Sequence, residues 1–289
     1  MAAVAFLAIM AGLYLASWYL QRPAVKQFPP DVAVKVSSFM LSVPANVVHF
    51  RAVNLTEART LEVGNDMFAN KTMVSLAQPD VNITTDEVTW VTDIEVLEGV
   101  IVNVMRVTPE VAIQLSQVLN ASGVQWKRMQ GIPTYRVRTM NETWATVAIV
   151  NETLIYSEQT SGQDAGLSRV LGAILSNETR LFDDQEIRKA YYVASQDGRF
   201  FALSFTDFEG GTGASSDVDW VFSFARYKGQ RIDKVDMYKL ASQQDAINSF
   251  DEVRSMYFVR AQSSYIIGDF IVVGQDFSLE DLRTVVMSL

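Results

Sequence analysis

The stretch ATVAIVNETLIYSEQ, residues 145–159, sets how this chain folds. Two runs rich in β-branched residues, 145–150 and 153–157, meet at Asn151-Glu152, the pattern of a tight antiparallel hairpin. A second such stretch, SYIIGDFIVVGQD at residues 264–276, turns at Gly268-Asp269. Helical spacing follows each one. Leu167, Val170, Leu171, Ile174 and Leu175 follow the first, and Leu279, Leu282, Val285 and Val286 the second, each set gathering on one apolar face.

Working outward, residues 100–107 read as a strand. Thr108 then caps a helix with Pro109 at its first position and Glu110 in its first turn, and the helix ends by Gly123. A strand at 135–138 leads into the first hairpin. Asp183 with Glu186 reads as the capping box of a further helix, and residues 199–205 return as a strand. Near the other end, Ser242 with Asp245 opens a helix burying Ala246, Ile247, Phe250 and Val253, followed by a strand at 256–260. Ser278 with Asp281 opens the last helix. The order strand, helix, strand, hairpin, helix therefore occurs over 100–175 and again over 231–287. The first copy carries an extra loop around 121–133.

This pattern predicts an α+β fold of mainly antiparallel sheets with packed helices, built as two tandem β-α-β-β-β-α units. Residues 31–206 form the first unit with an N-terminal extension, and 207–289 the second. The extension holds an alternating strand at 32–36, and residues 54–87 lack a clear period and read as exposed loop with one short helix.

Residues 2–20, AAVAFLAIMAGLYLASWYL, carry no charge. At a rise of about 1.5 Å per residue they reach roughly 28 Å, close to the thickness of a hydrocarbon core. Trp18 and Tyr19 suit an interfacial aromatic belt, Arg22 follows, and Pro23, Pro29 and Pro30 stiffen the exit. The missing basic start and the bulky Trp18-Tyr19-Leu20 favour a retained anchor over a cleaved signal. The expected organisation is thus a transmembrane anchor at 1–22, a Pro-containing linker at 23–30, and the two units.

Seven of the eleven asparagines open an Asn-x-Ser/Thr acceptor: Asn54, Asn70, Asn82, Asn120, Asn141, Asn151 and Asn177. The 41 Ser and Thr residues among 289 predict about 1.6 by chance. Arg22 and Lys26 after the apolar run argue for a cytoplasmic domain, but two charges weigh less than this excess, so the large domain is expected outside the cytoplasm as a glycoprotein. All seven acceptors precede residue 180. The C-terminal half is bare, and Asn248 is the only asparagine there. Because a glycan blocks close approach, a protein partner is expected on that half; the compositional alternative is that a half poor in Asn has no acceptors whatever it touches.

An apolar anchor followed by an acidic, acceptor-rich α+β domain resembles uncharacterised membrane-anchored surface proteins of archaea. The resemblance is one of layout. It implies location and anchoring and carries over no functional residue.

The net charge of −9 excludes nucleic acid as a natural partner, and the absence of cysteine excludes disulfides, thiolate metal sites and thiol nucleophiles. His49 is the only histidine, and its VVHF context reads as packing. The Gly210-Gly211-Thr212-Gly213 stretch lacks the following helix that a phosphate cradle needs. Asp217 with Asp219, and Asp183 with Asp184, are the paired carboxylates, read first as a strand end and a helix cap. Trp90, Trp126, Trp144 and Trp220 suffice to line a sugar site, and read first as core. No catalytic, cofactor-binding or metal residue is assigned. The expected role is non-catalytic binding or scaffolding in a cell-surface or membrane complex, with membrane lipid met through residues 2–20. Two alternatives stand beside it: an anchored carboxylate-dependent hydrolase acting on glycans, and a pilin-like filament subunit, which the short, proline-terminated apolar run disfavours.

Overall fold

The computed structural model describes residues 23–30, 34–37, 40–96, 99–158, 163–196, 200–208, 218–257 and 261–289. In chain order these hold β1 (Ala24–Lys26), β2 (Val47–Asn54), α1 (Leu55–Ala58), α2 (Glu62–Phe68), β3 (Thr72–Gln78), β4 (Asp80–Thr84), β5 (Val88–Val96) and β6 (Val100–Val107). Next come α3 (Pro109–Ala121), β7 (Trp126–Met129), β8 (Ile132–Thr139), β9 (Trp144–Val150), β10 (Thr153–Glu158), α4 (Gln163–Ile174) and α5 (Gln185–Ser195). The chain continues through β11 (Phe200–Asp207), β12 (Val218–Lys228), β13 (Arg231–Leu240), α6 (Gln243–Ser255), β14 (Ala261–Ile267), β15 (Phe270–Ser278) and α7 (Leu282–Met287).

All fifteen strands join one sheet in the order β1-β14-β15-β13-β12-β11-β2-β5-β6-β10-β9-β8-β3-β4, with β7 beside β8. Every pairing is antiparallel except β1 on β14. The expectation of two tandem units is therefore corrected: the joint between the halves is β2 on β11, with Phe50 opposite Phe205 and Ala52 opposite Leu203, and the sheet runs through it without a break. The two stretches also differ in how their helices pack. Leu167, Val170 and Leu171 of α4 join one core, together with Val102, Val104 and Ile155, whereas Leu282, Val285 and Val286 of α7 join the core on the opposite face with Val107 and Phe277. The expected N-terminal transmembrane helix falls on residues outside those described. Among the described residues no helix is long and apolar enough to cross a membrane.

Side chains alternate along each strand, so both faces bury apolar rows. Face A is covered by α4, α5 and the short turn at Met40–Ser42; face B by α1, α2, α3, α6 and α7. On face A, Phe50 sits between Phe182 and Phe205, with ring centres 6.0 and 6.1 Å away. Register shifts interrupt several pairings, including β11–β12 and β2–β5. Such bulges add local twist, which lets a sheet this wide keep both faces packed.

Local differences from expectation have physical reasons. The stretch 54–87 folds as α1, α2 and the β3–β4 hairpin, where aperiodic polarity hid an edge hairpin that exposes much of its surface. The loop expected at 121–133 contributes β7. Val34 to Ser37 form no strand, and the rest of the strand expected at 32–36 lies outside the described residues. Met256 and Tyr257 form a turn after α6, and 258–260 lie outside the described residues.

Candidate functional site

The seven acceptor asparagines fall on the half of the sheet that runs from β2 to β4 and on the segments packed against it. Asn54 ends β2, Asn82 lies on β4, Asn120 near the end of α3, Asn141 and Asn151 in the turns before and after β9, Asn70 before β3, and Asn177 after α4. Six are exposed. Asn54 is half-buried, and its Oδ1 accepts from the Glu57 amide 3.1 Å away as the cap of α1. The other end, strands β11, β12, β13, β15, β14 and β1 with α5, α6 and α7, has none.

Asn70 and Asn151 adopt left-handed backbone, φ 55° and 54°. At the bare end, the β12–β13 and β14–β15 hairpins place Gly229 and Gly268 in the same region, φ 62° and 59°. In the β9–β10, β12–β13 and β14–β15 hairpins the left-handed residue opens a two-residue turn, between Val150 and Thr153, Lys228 and Arg231, and Ile267 and Phe270. Asn and Gly both tolerate that conformation. Gly also takes it on the acceptor half, at Gly99 and Gly131 (φ 70° and 80°), so turn conformation does not separate the two halves.

The residues singled out for chemistry take structural places. His49 is half-buried, with Nδ1 2.9 Å from Thr206 Oγ1 on β11. Burial pushes its pKa below 6.5, against the opposing pull of Glu95. Asp184 caps α5 by accepting from the Glu186 and Ile187 amides, and Asp183 accepts from the Arg180 amide and pairs with Arg188 at 3.5 Å. Asp219 lies 3.8 Å from Lys239, while Asp217 and the Gly210–Gly213 loop lie outside the described residues. Trp90 and Trp220 pack on the core, Trp90 against Phe200 and Trp220 between Phe205 and Phe270. Trp126 and Trp144 are exposed, yet do not share a site: Trp126 is opposite Tyr135 and Trp144 opposite Arg138, on opposite faces of β8. Among the described residues no cluster of His, Asp or Glu fits a metal ion.

A buried polar cluster joins β13 to the end of α6. Tyr257 donates to Asp236 Oδ2 at 2.9 Å and touches the Tyr238 hydroxyl, and Lys234 Nζ stands 3.3 Å from Asp236 Oδ1 while donating to the Ser288 carbonyl. Burial, then the Asp236 charge, pushes the Tyr257 phenol far up and Tyr238 up to about 12. Asp236 Oδ1 is buried without a hydrogen-bond partner and has the Lys234 charge beside it, while the Lys234 bond to Ser288 ties the end of α7 to the sheet.

The bare end carries an open groove of about 460 Å³ on face A, between the last turn of α5 and strands β12, β13, β15, β14 and β1. Its floor is apolar: Phe224, Val235, Val272 and Ile267 are buried. Gly274 lies between Val235 and Ser263 in the register, and Ser263 takes the place its side chain would fill. A Cβ there would sit 2.4 Å from Ser263 Oγ. The charged lining is Lys26, Arg226 and Lys228 against one acid, Asp233. Arg226 directs Nε and Nη2 onto Asp233 Oδ2 at 2.9 and 2.7 Å, and Lys26 Nζ lies 3.7 Å from the centre of the Tyr265 ring. Sequence reasoning missed this groove. Its residues come from six elements, and the one legible trace was the lack of acceptors around them.

No protein-family model matches the chain, and no curated protein matches it in sequence. Among solved structures, crystal forms III and I of TP0453 are similar at a TM-score of 0.52 and 12% identity. The match covers 90% and 88% of this chain and 100% and 98% of that one. At this identity the likeness shows the fold, including its extent over nearly the whole chain, and assigns no role to any residue.

Proposed function

We propose that the protein is a non-catalytic extracytoplasmic glycoprotein that binds or scaffolds, meeting a protein partner through the acceptor-free end of its sheet. The observation that carries this is spatial. Acceptors separated by up to 123 positions in the chain, Asn54 to Asn177, gather on the half of a continuous sheet that runs from β2 to β4, while the half from β11 to β1 has none. Glycans on the first half would leave the second as the face open to close protein contact.

The test adds a glycan to the bare end. Gly229→Asn with Arg231→Thr creates an acceptor in the β12–β13 turn, at a left-handed position that Asn tolerates. The partner variant Gly229→Asn alone creates none. Expressed in the native host, the doubly substituted protein should carry one more glycan and lose the native assembly seen by blue-native electrophoresis, while the single substitution keeps it. An assembly that survives full occupancy, or a wild-type protein migrating as a glycosylated monomer, would overturn the reading.

A further inference from the structure

We infer that the face A groove at the bare end is a binding site for a small organic anion with an apolar body, its carboxylate or equivalent group held at one rim by Lys228 beside Arg226 or at the other by Lys26. This goes beyond the partner reading and does not depend on it. The chain as a whole is acidic at −9, yet the groove's charged lining is three cations to one anion, so the local field opposes the global one. Asp233 offsets only Arg226, on which it is held by two hydrogen bonds. Lys26 and Lys228 are exposed at the rim, on strands β1 and β12 that the sheet order puts at opposite sides of the groove. An occupant's charged group can therefore meet either rim while its body lies on the floor.

The floor selects the other half of the ligand. Phe224, Val235, Val272 and Ile267 present apolar surface for the body of the ligand. A space of about 460 Å³ suits a molecule of roughly 20 non-hydrogen atoms. One local feature works against an anion: α5 ends at the groove through Tyr192, Val193 and Gln196, and a helix C-terminus carries about half a negative charge. Two exposed cations beyond the Arg226–Asp233 pair outweigh that partial charge.

The probe is 1-pyrenebutyrate, with 1-pyrenebutanol as its neutral isostere, both followed by fluorescence on the purified chain. The acid should bind more tightly than the alcohol, and added salt should weaken the acid alone. Lys26→Glu with Lys228→Glu should weaken the acid by about tenfold and leave the alcohol within twofold. Arg254→Glu with Arg283→Glu, exposed reversals on α6 and α7 at face B, matches the change in net charge and should change neither. Equal affinity for acid and alcohol would overturn the inference, as would loss of the acid in this control to the same degree as in the groove double variant. Because this measurement uses no partner, its failure leaves the partner reading standing, and the glycan-insertion test leaves this one standing.

Discussion

Gly64→Ala tests how closely α2 approaches α1 and β12. A Cβ at Gly64 would lie 1.7 Å from the Ala58 carbonyl oxygen and 2.7 Å from the Tyr227 hydroxyl. The first obstacle is backbone and cannot rotate away. Ordinary contact begins near 3.4 Å, so α2 must retreat by more than an ångström, and Tyr227, which donates to Ala58 O at 2.8 Å, loses its seat. Overpacking of this kind costs about 1–3 kcal/mol and the lost hydrogen bond about 1 kcal/mol, while Ala gains about 1 kcal/mol over Gly as a helix former. The net expectation is a loss of about 2 kcal/mol. Urea denaturation at equilibrium reads it directly, and a melt should fall by about 4–8 °C. Tyr227→Phe alone should cost about 1 kcal/mol. Since it removes one of the clashing atoms, Gly64→Ala with Tyr227→Phe should cost less than the two separately. A Gly64→Ala protein as stable as wild type would refute the close approach of the two helices.

Three further outcomes follow from the same geometry. Tyr257→Phe removes the donor to Asp236 Oδ2 and leaves a buried carboxylate with Lys234 as its charged neighbour, so unfolding free energy should drop by about 1–3 kcal/mol; unchanged denaturation would show that water replaces the phenol. His49 has a folded pKa below 6.5, so as pH falls from about 6.5 the unfolded chain takes up a proton that the folded chain refuses. Stability should then fall until the folded pKa is passed, at no more than about 1.4 kcal/mol per pH unit, and His49→Gln should flatten that part of a pH series of urea midpoints. Among the acceptors, Asn54 should show the lowest glycan occupancy by peptide mass spectrometry, because its half-buried side chain caps α1; full occupancy there would mean that the cap opens before folding is complete.

Some of this protein is written locally. Thr108-Pro109 opens α3, Ser242 caps α6 through the Asp245 amide, and the turns at Asn151 and Gly268 join antiparallel strands, because caps and two-residue turns involve atoms within a few positions of one another. The acceptor asparagines are likewise a matter of three adjacent residues. The β3–β4 hairpin was hidden because an edge hairpin exposes much of its surface, and a half-polar run of that kind has no distinct period.

The partners of the strands were decided elsewhere. Alternation tells which side chains share a face of β2, but not that β2 pairs with β11 some 150 positions later, and that one pairing turns two expected units into one sheet. The apolar stripe of α7 is as clear in the sequence as that of α4, yet the two settle on opposite faces, since a stripe specifies that it must be buried and is silent about where. The groove follows from those same long-range choices: only when β1, β12, β13, β14 and β15 lie side by side under α5 do Lys26, Arg226 and Lys228 come to rim one apolar floor. Amino-acid identity by itself determined the local turns, caps and acceptors, because their energies are spent between near neighbours. Tertiary structure determined the sheet order, the helix faces and the groove, because those energies arise between residues that only the completed fold brings into contact.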